Sequence, residues 1–95
     1  MSVQYTAEAR IDLLEGLSYY EEHQPALAVD FYKEFSKAEQ DVLQMPELWH
    51  PLGKGYRRKH LERYPYSLVY RIEDEGLILV VAVAHSSREP NYWEK

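Results

Sequence analysis

Cysteine is absent from the 95 residues of this chain. Its absence excludes disulfide bridges, thiolate metal sites and a cysteine nucleophile, and it makes the cytosol the expected compartment. Long hydrophobic runs are also missing, since the longest uncharged apolar run, Leu77 to Ala84, is far shorter than the roughly 20 residues that span a bilayer. Charge enters at Glu8 and Arg10 before any apolar run forms, so we expect neither a signal peptide nor contact with a membrane.

The usual signatures of metal and phosphate sites are missing as well. The four histidines, at positions 23, 50, 60 and 85, include no i, i+3 or i, i+4 pair that would let a helix present two ligands. Gly53-Lys54-Gly55 is too short for a phosphate-binding loop and precedes no helix, so we interpret it as a hinge into a strand. The sequence therefore predicts no metal and no cofactor.

Acidic residues outnumber basic ones, and the excess is unevenly distributed. The net charge is -5; residues 1–53 hold three Lys/Arg against ten Asp/Glu, whereas residues 54–95 hold eight against six. A general nucleic-acid binder is usually basic overall, so strong sequence-independent affinity for phosphate backbones is not expected. A local basic face is compatible with this balance, because six basic residues and one acid lie between Lys54 and Arg71.

A first helix is predicted after Thr6, a suitable N-cap, with an acid in the first turn. It is expected to end at about Tyr20 or Glu22. Its apolar residues recur at three- and four-residue steps and predict one buried stripe. The stripe consists of Ala7, Ile11, Leu14 and Leu17 or Ser18.

A second, longer helix is predicted to follow, because Pro25 ends the first helix and suits the first position of a new one. Pro46 and Pro51 end the helical part. The short connection between the helices predicts an antiparallel hairpin. The residues expected to form its buried face are Ala28, Phe31, Phe35, Ala38, Val42 and Met45.

From Tyr56 onward the apolar period changes to two, which predicts strands at about 56–62, 66–73 and 77–84. Turns are expected at Tyr64-Pro65 and at 73–76, and a short strand at Val3 to Tyr5 could join the sheet. The fold class predicted is α+β, with an N-terminal helical hairpin packed on a small antiparallel sheet in the order β-α-α-β-β-β. Residues 1–95 are expected to form a single domain.

The candidate functional residues are basic and aromatic, and they could converge on the sheet face that the helices leave uncovered. Guanidinium groups and a histidine there could bind phosphates and stabilise an oxyanion in RNA cleavage, with a tyrosine or histidine moving protons. The alternative is that strand arginines only keep the sheet soluble and discourage edge pairing. The set consists of Arg58, His60, Arg63, Arg71, His85, Arg88 and Tyr92.

Specific strings in this sequence resemble a known family. They are the Tyr-Arg-Arg of the first long strand, the Pro-Tyr-Ser that opens the next, and AHSSREPNYW at 84–93. Together they resemble the C-terminal half of ParE-type toxins in the ParE/RelE superfamily. The opening VQYTAEARIDLLEGLSYYEE is also similar to the beginning of that family.

The resemblance implies the toxin of a type II toxin–antitoxin system, of the plasmid-stabilisation type, neutralised by a cognate antitoxin. RelE-like members cleave messenger RNA on the ribosome with basic strand residues, an arginine after the last strand and a C-terminal tyrosine. ParE-like members lack that set and inhibit DNA gyrase. The antitoxin is expected in the groove beside the helical hairpin and at the sheet edge, where a partner can add a helix or a strand.

Matching positions favours the ParE-like activity. Arg58 and His60 fall where the ribonucleases carry lysines, but Ser67 falls where they carry an arginine. A hydroxyl cannot supply that fixed cation, an interaction worth about 3 to 4 kcal/mol. The resemblance therefore implies a non-catalytic toxin that binds DNA gyrase.

Two alternatives stay open. The first is a RelE-like endoribonuclease that acts on ribosome-bound messenger RNA, and the second is a degenerate, non-toxic protein that only binds the antitoxin. In the ribonuclease, the catalytic residues would be Arg58, His60, Arg88 and Tyr92. The target-binding candidates under the gyrase hypothesis are Arg58, Arg63, Arg71, His85, Arg88, Tyr92 and Trp93.

Overall fold

The computed structural model describes residues 2–74 and 76–94, which form two helices packed on one face of a five-stranded sheet. In chain order the elements are β1 (Ser2–Tyr5), α1 (Ala7–His23), α2 (Pro25–Gln44), β2 (His50–Gly53), β3 (Tyr56–His60), β4 (Tyr66–Ile72) and β5 (Leu77–His85). The strand order is β1-β5-β4-β3-β2; β1 runs parallel to β5, and the other neighbours are antiparallel. The predicted α+β class is confirmed, with one additional strand and one parallel pair.

The helical hairpin forms where the sequence predicts it. The Thr6 hydroxyl caps α1 by accepting a hydrogen bond from the Ala9 N–H at 3.1 Å. Only Gln24 separates the helices, and Pro25 begins α2, where its missing N–H removes no helical hydrogen bond. Neither helix is long and apolar enough to cross a membrane.

The buried face of α2 is the best predicted feature of the fold. Met45 is the exception, being 56% exposed, because α2 ends at Gln44 and Met45 is its C-cap. The other predicted residues face the sheet and pack on side chains of β4 and β5 such as Leu68 and Val80. The confirmed residues are Ala28, Phe31, Phe35, Ala38 and Val42.

The buried stripe predicted for α1 is wrong at Ala7, Ile11 and Leu14, whereas Leu17 is half-buried against the core. Ile11 and Leu14 are 55% and 62% exposed, and the helix turns Ala9 and Gly16 into the core instead. Apolar residues occupy two neighbouring stripes of α1, so periodicity alone does not identify the one that packs. Packing selects the stripe that contains Gly16, where an added Cβ would lie only 3.2 Å from the Phe31 ring.

The strand β2 was not predicted. It is four residues long, lies at the sheet edge and contains Pro51, which an edge strand tolerates. Lys54-Gly55 is therefore the turn of a β2–β3 hairpin rather than a hinge. The φ angles of Gly53, Lys54 and Gly55 are +90°, +55° and +84°, and the two glycines adopt such values at no steric cost. The three longer strands and β1 are confirmed, with ends shifted by one or two residues. The turn predicted at 73–76 includes Glu75, which lies outside the described residues.

Candidate functional site

The sheet has one face beneath the helices and a second face, the far face. Leu68 and Tyr70 of β4 belong to the core beneath the helices. Side chains alternate along a strand, so Ser67, Val69 and Arg71 point to the far face. Val69 is fully buried although the helices lie on the other side of the sheet. Something else must therefore cover the far face.

The cover is the C-terminal segment, residues 86–94. The Trp93 ring packs against the Tyr56 ring, with centroids 6.1 Å apart and planes at 67°. The Glu94 carboxylate lies 3.6 Å from the Lys54 ammonium in the β2–β3 turn. Asn91 turns the chain with a φ of +63°, a conformation that asparagine tolerates. The segment thus runs across the far face, from the end of β5 to the β2–β3 turn.

Asp12 of α1 fixes this segment to the helical layer. Its carboxylate accepts hydrogen bonds from the Val83 N–H at 3.1 Å and from the Tyr92 hydroxyl at 2.7 Å. The Arg88 guanidinium lies 3.9 Å from the same carboxylate and 3.8 Å from the centre of the Tyr92 ring. Burial, and then the bond to Asp12, raise the pKa of Tyr92 well above its usual value. The hydroxyl therefore stays protonated at neutral pH.

A basic cluster occupies the far face between β2 and β4. It consists of His50, Arg58 and His60: the first two are direct partners across β2 and β3, and His60 follows two residues later on the same face. The hydroxyl of Ser67, a residue only 6% exposed, lies 2.6 Å from Nδ1 of His60. Within residues 2–74 and 76–94, no carboxylate forms an ion pair with the cluster and no three side chains are placed to hold a metal ion.

His60 should make the stability of the protein depend on pH. Desolvation by burial, and then the charges of Arg58, His50 and Lys59, lower its pKa below the usual value. In the unfolded chain the His60 imidazole is protonated as the pH drops through about 6.5, whereas in the folded chain it stays neutral to a lower pH. The unfolded state then binds more protons, so the free energy of unfolding falls as the pH drops below about 6.5.

The measurement is urea unfolding at pH 7.5 and at pH 5.5. His60→Gln keeps a hydrogen-bonding group beside Ser67 and is expected to reduce the loss of stability between the two pH values. His23→Gln, at the exposed end of α1, is the control and should keep the full loss. An unchanged loss in His60→Gln would show that His60 does not contribute to it.

Arg71 forms a second cationic and aromatic group on the far face. Its guanidinium lies 5.5 Å from the centre of the Tyr56 ring and 3.5 Å from the Glu73 carboxylate. Tyr56 in turn contacts Trp93, so a cation and two aromatic rings adjoin one another. These residue types dominate the binding energy of protein interfaces.

Two predicted site residues lie elsewhere. The Arg63 guanidinium is 2.8 Å from Asp30 and 3.1 Å from Glu34, both on α2. His85 pairs across the sheet with Tyr66, stacks edge-on against it at 5.0 Å and therefore points to the helical side. The predicted set thus divides into three locations. Arg58, His60, Arg71 and Trp93 lie on the far face, Arg88 and Tyr92 at its rim beside Asp12, and Arg63 and His85 on the helical side.

Comparison with known proteins identifies the family of this chain. Residues 3–90 match the family model described as the ParE toxin of the type II toxin–antitoxin system parDE. The chain is 36% identical over 81 residues to Toxin ParE2 of two Mycobacterium tuberculosis strains, CDC 1551 and H37Rv, covering 84% of this chain and 76% of theirs. The chain belongs to the ParE toxin family.

A solved structure supports the fold. The chromosomal ParDE toxin–antitoxin system from P. aeruginosa superimposes with a TM-score of 0.76, covering 90% of this chain and 95% of that chain. At 21% sequence identity this likeness shows the fold alone. The ParE family is defined by the pair of toxin and antitoxin, so this chain is the toxin of such a system and has an antitoxin as partner.

The sequence patterns did not identify three residues of the candidate site. His50 belongs to the unpredicted strand β2, and only that pairing brings it to Arg58. Asp12 has the sequence context of any acid on a helix surface, yet its side chain is 9% exposed and bonds residues of β5 and the C-terminal segment. Tyr56 is the first residue of β3, and the alternation of side chains along the strand was the sole pattern in the sequence that involved it. Tertiary pairing, rather than any local pattern, selects all three.

Proposed function

We propose that this ParE toxin binds DNA gyrase and inhibits it, without cleaving RNA itself. We also propose that the toxin acts in the cytoplasm and that residues 1–95 form one toxin domain. Gyrase enters as the target inferred from the resemblance to ParE-like toxins. Ser67, which stands where the ribonucleases carry an arginine, and the hydrogen-bonded Tyr92 support the non-catalytic part.

The observation that carries the proposal is the hydrogen bond from the Tyr92 hydroxyl to Asp12. A tyrosine that accepts a proton must first be ionised, and the raised pKa of Tyr92 makes that form rare at neutral pH. Ser67, in the position where the ribonucleases carry an arginine, is buried and supplies no cation. The Tyr92 and Ser67 hydroxyls therefore fit a structural role better than a role in phosphodiester cleavage.

The far face has the character of a protein-binding surface. Arg58 and Arg71 supply cations, and Tyr56 and Trp93 supply large rings that lose little conformational freedom on binding. A toxin with a net charge of -5 would be repelled by a nucleic-acid backbone at most of its surface. A protein target is therefore favoured over RNA.

One observation favours the ribonuclease as second candidate. The basic cluster places two histidines beside Arg58, and no described carboxylate neutralises it. Histidines and an arginine at that spacing could bind a phosphate and move protons. The candidate acts on messenger RNA on the ribosome, so the two hypotheses differ in the process that stops first in a cell.

The test is to induce the toxin without antitoxin and to follow DNA and protein synthesis by incorporation of labelled thymidine and methionine. Gyrase inhibition is expected to stop thymidine incorporation first. Methionine incorporation that stops first would favour the ribonuclease, and unaffected growth would indicate a degenerate toxin. Cells that also express the antitoxin are the control and should maintain both processes.

Arg58→Gln is expected to weaken gyrase inhibition by about tenfold, equivalent to about 1.4 kcal/mol, because it removes a central cation of the far face. The concentration of toxin that halves supercoiling gives the magnitude. The matched control is Arg10→Gln on the exposed surface of α1, which should inhibit like the wild type. Equal inhibition by both variants would remove Arg58 from the target-binding surface.

A further inference from the structure

A half-open cleft of about 610 Å³ lies between the first half of α1 and the C-terminal segment. Its helical wall carries Glu8, Asp12 and Glu15, which are four and three residues apart and therefore on one side of the helix. Its opposite wall carries three aromatic rings: Tyr56, Tyr92 and Trp93. The volume is that of an ordinary ligand pocket and admits a side chain with flanking backbone.

The charge of this cleft is not balanced. Arg88 offsets one carboxylate, that of Asp12, at 3.9 Å. Glu8 and Glu15 line the same cleft, and neither side-chain carboxylate forms an ion pair or a hydrogen bond with any residue that the structure describes. Two negative charges beside a wall of aromatic rings favour a cationic ligand, since the faces of aromatic rings attract cations.

Arg88 shows the binding geometry that the cleft supports. Its guanidinium lies 3.8 Å from the centre of the Tyr92 ring and beside a carboxylate. A planar guanidinium can stack on a ring and donate to carboxylates at its edges at the same time, whereas an ammonium is a compact point charge. The remaining carboxylates and rings can hold a second guanidinium in the same way.

We propose that the cleft is an arginine-binding site and that the antitoxin supplies the arginine. The antitoxin is favoured as the source because the cleft continues along α1 into exposed apolar residues, Ile11, Leu14 and Tyr19, which a partner segment laid along the helix would cover. Residues 1–53, which include α1, hold ten acids against three bases, so a basic segment would be attracted to this side of the toxin. The inference rests on membership of the ParE family and not on gyrase as target.

The first test is a titration of the full-length toxin with N-acetyl-arginine amide, followed by the NMR signal of the Trp93 indole N–H. A saturable shift is expected. The Trp49 indole, which donates to the Asp41 carbonyl outside the cleft, is the internal control and should not move. N-acetyl-citrulline amide, the neutral isostere, should produce no saturable shift, and N-acetyl-lysine amide should bind more weakly than arginine.

Glu8→Gln/Glu15→Gln is expected to weaken arginine binding by at least about fivefold, because it removes the two unpaired charges. The matched control is Glu21→Gln/Glu47→Gln, the same change of charge at exposed positions that line neither the cleft nor its continuation along α1, and it should bind like the wild type. Equal binding of citrulline or lysine, no saturable shift, or equal loss in both double variants would overturn the site.

The source of the arginine is tested by competition. The protein encoded next to the toxin gene, added to toxin loaded with the arginine analogue, is expected to displace the analogue and return the Trp93 signal to a position independent of analogue concentration. An antitoxin that binds the toxin while the analogue stays bound would overturn the assignment of the cleft to the antitoxin.

Discussion

Phe31→Ala is expected to destabilise the toxin by about 3 to 5 kcal/mol, the usual cost of removing a fully buried ring. Phe31 is 0% exposed, and its ring lies 5.2 Å from that of Tyr20, 5.4 Å from that of Tyr64 and 4.9 Å from that of Tyr66. It also fills the space beside Gly16 of α1, where an added Cβ would lie 3.2 Å from the Phe31 ring. The substitution therefore removes the contact shared by both helices and the sheet.

Urea unfolding followed by circular dichroism measures this loss. Small domains are stable by only about 5 to 15 kcal/mol, so Phe31→Ala could be largely unfolded, and Phe31→Leu provides a folded variant with a loss of about 1.5 kcal/mol or less. The control is Tyr32→Ala, one residue later and 50% exposed, with a loss below about 1 kcal/mol. A loss below about 1 kcal/mol for Phe31→Ala would contradict the placement of Phe31 in the core.

Asp12→Ala is expected to cost about 3 kcal/mol, since hydrogen bonds to charged groups contribute about 1.5 to 3 kcal/mol and buried donors left without partners add a penalty. The carboxylate accepts from the Val83 N–H and from the Tyr92 hydroxyl. Val83 is 2% exposed, so water cannot replace the lost acceptor. The C-terminal segment should also loosen, because Tyr92 loses its hydrogen bond to α1.

Two variants separate the role of this carboxylate from a general loss of charge. Asp12→Asn retains an acceptor oxygen and is expected to lose less stability than Asp12→Ala. For Glu15→Ala, at an exposed position three residues later, the free energy of unfolding should lie within about 0.5 kcal/mol of the wild-type value. Wild-type stability in Asp12→Ala would contradict the role of this carboxylate in holding the C-terminal segment.

The difference between α2 and α1 shows what the sequence can predict. The seam from Ala28 to Val42 recurs at three- and four-residue steps along α2, whereas its exposed apolar residues, Leu27, Val29 and Tyr32, all lie in the first half of the helix. The period therefore identified the buried face correctly. On α1, Ile11 and Leu14 compete with a second stripe that contains Gly16. A glycine gives no hydrophobic signal, although the Phe31 ring packs where its side chain would lie. A pattern therefore identifies a buried face where a single apolar stripe runs along most of the helix.

The candidate site was predictable only in part because its contacts join distant residues. Alternation along β3 and β4 correctly placed Arg58, His60 and Arg71 on one face. The bond between Asp12 and Tyr92 joins residues 80 positions apart and depends on the path of the C-terminal segment, which no local pattern specifies. The same holds for His50, which reaches Arg58 through an edge strand of four residues.

The supercoiling of relaxed plasmid by purified DNA gyrase, with increasing concentrations of the toxin, tests the central claim most directly. The expected result is a dose-dependent loss of supercoiled product that the antitoxin reverses, while messenger RNA on translating ribosomes stays intact at the same toxin concentrations. Full supercoiling together with cleaved messenger RNA would contradict the claim and assign the toxin to the ribonucleases.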